Sequence, residues 1–271
     1  MKIVSLCPSL TKLIFDLGKG AWLVGVTRYC VHPREAVAGI EKVGGTKNPD
    51  LERIVALAPD LVFFNREENR RQDWRALREA GLNCRVTYPV SLEETEATIL
   101  AVGKALGSGR QAARMAARIA GLRALLAAQN IENKTFAYMI WRKPWMTVNR
   151  RTYIHHLLEA AGGINVFAGL ENLYPAVESS QLAAADPDLV LLSSEPFPFK
   201  EKHRVALAAE TGLPRERFLL VDGALLSWHC SLTEQGLVYA AELFGNKEVL
   251  QPLPNREAGL KHSGGSREPH S

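Results

Sequence analysis

The stretch "KVGGTKNPDLERIVALAPDLVFF", Lys42 to Phe64, decides the fold. It passes from a double-glycine turn through a short amphipathic helix into an apolar strand, and "ESSQLAAADPDLVLLSS", Glu178 to Ser194, runs through the same steps again. In the first copy Asp50 reads as the cap of the helix, and Pro59 ends that helix before its strand. Superimposing Pro59-Asp60-Leu61-Val62 on Pro187-Asp188-Leu189-Val190 fixes an offset of 128 (187 minus 59), which also sets Ile54 on Leu182, Val55 on Ala183 and Ala56 on Ala184. Two lobes of similar build follow from this. A helix running into "PDLV" is also common α/β grammar, so the pattern alone leaves both readings open. Under the same offset Glu52 falls on Ser180.

Outward from this stretch the chain alternates strands and helices. Apolar runs at 3–6, 23–27, 61–64 and 84–88 read as strands buried on both faces, separated by helix-period segments. Ser9 reads as an N-cap for a helix with Leu10, Leu13, Ile14 and Leu17 on one face and Gly18 at its stop. A second set follows, with strands at 135–141, 189–193 and 218–222, and helices over 150–163, near 199–209 and near 232–244. Between the sets, "SGRQAARMAARIAGLRALLAAQN" is rich in Ala, Leu and Arg and free of proline. It reads as one helix roughly 30 Å long, its alanines and leucines packed on both lobes and its arginines in water. The expected fold class is α/β, with two lobes of central parallel sheets flanked by helices. The expected division is an N-terminal lobe over 1–107, a connecting helix over 108–130, a C-terminal lobe over 131–250 and a disordered tail over 251–271.

Composition narrows the function. A chain of 271 residues with 46% apolar content buries a large core, and 33 basic against 29 acidic residues leave no concentrated positive face for nucleic acid. Apolar runs are too short to span a bilayer as helices. No secretory leader precedes the first strand, so the expectation for the chain as written is the cytoplasm. Cys7, Cys30, Cys84 and Cys230 have no CxxC spacing and read as reduced, buried thiols. No GxSxG, HExxH, GxGxxG or phosphate loop is present, so no enzyme is expected. His155, His156 and Glu159 share a helix at ligand-like spacing, yet adjacent histidines point about a third of a turn apart, and no protein metal site is assigned.

Ligands of open α/β sheets sit outside the carboxyl ends of the strands, and those ends are rich in aromatic and polar residues. Arg28 and Tyr29 follow the second strand, Asn65 and Arg66 follow "LVFF", Trp141, Arg142 and Trp145 follow "TFAYMI", Glu195 follows "LVLLS", and Trp228 and His229 follow "FLLVD". Tyr174 adds a ring in the "NLYP" loop. Such rings suit a broad, flat, amphipathic guest.

The segments "VSLCPSLTKLIFDLG", "LVGVTRYCVHPREA", "VGGTKNPDLERIVALAPDLVFFNREEN", "WRKPWMTVNRRTYIHHLLEAAGGINVFAG" and "DGALLSWHCSL" together resemble the helical-backbone metal-receptor superfamily. These are class III substrate-binding proteins of ABC importers for cobalamin, ferric siderophores and haem, and the resemblance is nearest to the cobalamin receptors. It covers residues 2 to about 245. It implies a ligand held between two lobes: a corrinoid, or less closely haem or a ferric siderophore, with no cofactor of the protein's own. It further implies that Tyr29, Tyr174, Trp228 and Met146 touch the guest. Thr46 stands where a cobalamin receptor carries tryptophan. Glu52 matches an exposed glutamate that docks the importer permease; the second such position is Ser180, with Glu178 two residues away. The implied protein is a monomer, periplasmic if a leader has been trimmed. The competing reading is a cytoplasmic metallocofactor-handling protein or enzyme built on the same scaffold, its activity or metal retention depending on His229 or the cysteines.

Overall fold

The computed structural model describes residues 1–129 and 133–246; the tail expected over 251–271 lies outside the described residues. The first half contains β1 (Ile3–Ser5), α1 (Pro8–Asp16), β2 (Leu23–Val26), α2 (Arg34–Ala38), β3 (Glu41–Lys42), α3 (Leu51–Ala56) and β4 (Leu61–Asn65). It continues through α4 (Arg71–Glu79), β5 (Cys84–Thr87), α5 (Leu92–Ala105) and α6 (Gly109–Ala127). The second half contains β6 (Lys134–Met139), β7 (Trp145–Met146), α7 (Tyr153–Ala160), β8 (Gly163–Asn165), β9 (Ala176–Val177) and α8 (Ser179–Ala185). It ends with β10 (Leu189–Ser193), α9 (Glu201–Thr211), β11 (Phe218–Val221), α10 (Gly223–Ser227) and α11 (Thr233–Leu243), the last preceded by a 3-10 turn at Cys230–Leu232. Two parallel sheets result, ordered β3-β2-β1-β4-β5 and β11-β10-β6-β8, with β7 and β9 forming a small antiparallel ribbon.

The repeated sequence does the same work in each sheet. Ile54 and Leu182 are both fully buried, each anchoring its short helix. Ala58 and Asp186, equivalent under the offset, both take the left-handed backbone, at φ 46° and 43°, just before the shared proline. The next aspartate then reaches the start of the neighbouring parallel strand: Lys2 N donates to Asp60 at 2.6 Å, and Thr135 donates to Asp188 through its backbone N at 2.8 Å and its hydroxyl at 2.7 Å. A carboxylate thus sets the stagger of β1 against β4 and of β6 against β10. The double-glycine turn is equally constrained: Gly44 has φ 93°, and a side chain there would meet the Asn48 carbonyl oxygen at 2.7 Å.

Three expectations need correction. The run at 84–88 forms a strand, but β5 is an edge strand with Arg85 and Val86 exposed, and it is not buried on both faces. Ser9 is buried inside α1 and does not cap it; Cys7 is the N-cap, because Pro8 occupies the first helical position, where its missing N–H costs nothing. The arginines of α6 do not simply face water. Arg123 pairs with Glu93 and Glu96 of α5, and Arg118 with Glu234 of α11. Along the same helix, Ala112, Met115, Ile119, Leu122 and Leu126 are buried. They join one apolar cluster that runs from Ile3 and Leu13 of the first half to Leu157, Leu237 and Phe244 of the second. The two halves therefore share a core as well as a connector.

Asp188 tests the strand-start role. The Thr135 hydrogen bonds hold its carboxyl below the usual range, so its contribution is present above the unfolded value near 4 and disappears as pH falls through the folded one. Asp188→Ala should cost about 1 kcal/mol in urea unfolding at pH 7, and the gap from wild type should narrow below about pH 4.

Candidate functional site

The carboxyl ends of both sheets meet along a seam. From the first half, β4 delivers Asn65, whose Oδ1 accepts from the backbone N–H groups of Glu67 and Glu68 at 2.9 and 3.3 Å. Its amide nitrogen is thereby turned outward, 3.1 Å from His229 Nε2 of the second half. Nε2 accepts this bond, so the neutral ring carries its proton on Nδ1, which lies 3.0 Å from Cys230 Sγ. Asn65, His229 and Cys230 are all buried. Cys230 holds a left-handed backbone at φ 71°, a conformation costly for a residue with a Cβ, and the turn it makes packs against α1.

Trp228 is orientated by Glu195, which accepts from the indole Nε1 at 2.5 Å and from Ser227 Oγ at 3.1 Å. The His32 ring meets Trp228 edge-on at 5.7 Å. Cys7 donates its thiol to Glu68 at 3.2 Å. Glu67 and Glu68 of one half and Glu195 of the other thus line the same seam, with Lys47 as the nearby cation, donating to the Glu67 carbonyl at 2.6 Å. Burial raises all three carboxyls, Glu68 to about 7 with Glu67 and Glu195 adding repulsion. Burial alone lowers His229 to about 4.

The remaining residues singled out from sequence fall into separate groups. Trp141 is exposed and packs edge-on to Phe197; Trp145 stacks on Phe199 at 6.0 Å, and its indole donates to Glu210. Met146 lies in β7, bridged to Trp141, and Met146 and Tyr174 are half-buried against the shared core. Tyr29 stands exposed beyond β2, and among the described residues no ring contact joins it to either aromatic group. The Thr46 carbonyl accepts from Asn69, and exposed Arg66 lies over the Tyr88 ring. Glu52 is exposed in the first turn of α3, whereas Glu178 is the N-cap of α8, matching Asp50 rather than Glu52. Of the residues along the seam, the strand-end reading selected Glu195 but not Glu67, Glu68 or His32. The adjacent carboxylates of "NREEN", directly after an apolar strand, were the available signal.

His155 Nε2 and His156 Nδ1 lie 3.6 and 3.8 Å from Glu159. Asn165 Oδ1 accepts from Phe167 N, which turns its amide nitrogen toward His155 Nδ1 at 3.5 Å. That leaves the His155 proton on Nε2, directed at Glu159, an arrangement suited to a hydrogen bond rather than to a metal lone pair.

Residues 3–211 match the family described as periplasmic binding protein. The chain belongs to the periplasmic binding protein family. As a binding protein it carries no expectation of catalysis. It is 29% identical to the vitamin B12-binding protein of Vibrio parahaemolyticus over 196 residues, covering 71% of this chain and 70% of that one. Its fold matches the crystal structure of the periplasmic vitamin B12-binding protein of Vibrio cholerae with a TM-score of 0.78 and 22% identity, over 90% of this chain and 96% of that one. The periplasmic heme-binding protein of Roseiflexus sp. RS-1 matches with a TM-score of 0.75 and 25% identity, over 90% and 97%. Among the described residues, no helix of the binding protein is long and apolar enough to cross a membrane.

The seam makes two opposed predictions for pH. His229 is neutral when folded and takes a proton on unfolding, so between pH 7 and 5 it lowers stability by about 2 kcal/mol, whereas Glu68, with its raised folded value, adds about 2 kcal/mol over the same interval. Relative to wild type, His229→Gln should gain stability on acidification and Glu68→Gln should lose it, by denaturant unfolding at the two pH values.

Proposed function

We propose that this chain captures a metal-bearing macrocycle, a corrinoid or haem, at the carboxyl ends of its two sheets and delivers it to an ABC importer. One observation carries the reading: Tyr29 and Trp141, 54% and 41% exposed, present bare aromatic surface at strand ends of opposite halves. A large planar guest recovers that area by stacking. The vitamin B12- and heme-binding relatives support the guest class, and membership of a periplasmic family supports a location outside the cytoplasmic membrane. Lobes at 1–107 and 131–250 joined through 108–130, acting as a monomer, fit the two sheets and α6. Exposed Glu52 and Glu178 are the proposed permease contacts, one at the start of each repeated helix.

Purified protein titrated with cyanocobalamin and with haem, followed by absorption and calorimetry, should bind at least one below about 100 µM. Tyr29→Ala and Trp141→Ala should each weaken binding about tenfold while leaving thermal stability unchanged. Absence of binding to both macrocycles defeats the reading.

A further inference from the structure

Beside the seam, the ends of β4 and β5 and the first turn of α4 enclose a hollow of about 440 Å³. Phe64, Trp74 and Val86 give it apolar walls, and Arg66, Arg70 and Arg71 give it charge. Arg70 is neutralised: its Nε and Nη2 donate to the two oxygens of buried Asp73, both at 2.9 Å. Arg66 lies over the π face of Tyr88, at 5.1 Å. Among the described residues neither Arg66 nor Arg71 has an acidic partner in a salt bridge. No side chain caps α4, so its positive end adds to the field of the two free guanidinium groups. The hollow is therefore built for an anion attached to something apolar.

Asn65 lines this hollow and also bonds His229 across the seam, so hollow and seam adjoin. Their polarities are opposite. The seam carries Glu67, Glu68 and Glu195, which suit a cationic metal centre; the hollow carries two arginines without an acidic partner among the described residues. We propose that the hollow takes an acidic arm of the bound metal chelate, a carboxylate or a phosphate, and so selects guests that pair a cationic centre with an acidic substituent. This rests on the macrocycle reading above and adds the chemistry that guest must carry.

The test compares acidic and neutral forms of the same ring. Wild type and Arg66→Gln/Arg71→Gln are titrated with cyanocobalamin, which has a phosphodiester arm, against dicyanocobinamide, which has none, and with haem against its dimethyl ester. Wild type should favour the acidic member of at least one pair by about tenfold or more, and the double variant should reduce that ratio to within about twofold. A preference confined to the haem pair identifies a carboxylate arm, and one confined to the corrinoid pair a phosphate. Equal affinity for both members in wild type, or a ratio unchanged in the variant, overturns the inference while leaving the macrocycle reading intact. If no ring binds, both fall together.

Discussion

The structure depends on one apolar seam shared by its halves. Each parallel sheet needs cover on both faces, and here the cover of one face is common property: α6 lies between α5 and α11, α1 meets the Cys230 turn, and one buried cluster runs from Ile3 to Phe244, while the other face of each sheet has a cluster of its own. Separating the halves would expose that cluster to water, at roughly 25 cal/mol for each Å² of apolar surface.

That constraint explains the chemistry of the seam. Once backbone packing forces Asn65 and His229 together out of water, the imidazole must be neutral, and its tautomer follows from the amide that faces it. The same desolvation raises Glu68 and Glu195, so acid and base are balanced across a region that a ligand's charge would unbalance. Aromatic residues divide by the same logic. Trp228 is tied down by Glu195 within the seam, while Tyr29 and Trp141 stay exposed.

Much of the fold was legible in the sequence because strands and short helices are set by local pattern. The runs at 61–64 and 189–193, the cap at Asp50 and the repeated proline-aspartate all report local physics, and the structure adds that Asp60 and Asp188 align neighbouring strands. Ser9 misled because its residue type favours capping, while Pro8 had already fixed the first turn. Of the residues that meet along the seam, the strand-end rule picked out Asn65, Glu195, Trp228 and His229, yet passed over Glu67 and Glu68. Surface carboxylates are ordinary in sequence, and only burial makes these unusual.

The sequence by itself determined the α/β class, the twice-written helix and strand, and the enrichment of rings at strand ends, since each is encoded within a few neighbouring residues. Tertiary structure alone decided that residues 164 positions apart share a hydrogen bond, that arginines of α6 bind two other helices, and that a cationic hollow opens beside an acidic seam. The reason is that burial and charge environment belong to the packed whole: a side chain's dielectric, its partners and its protonation are set by segments far away along the chain.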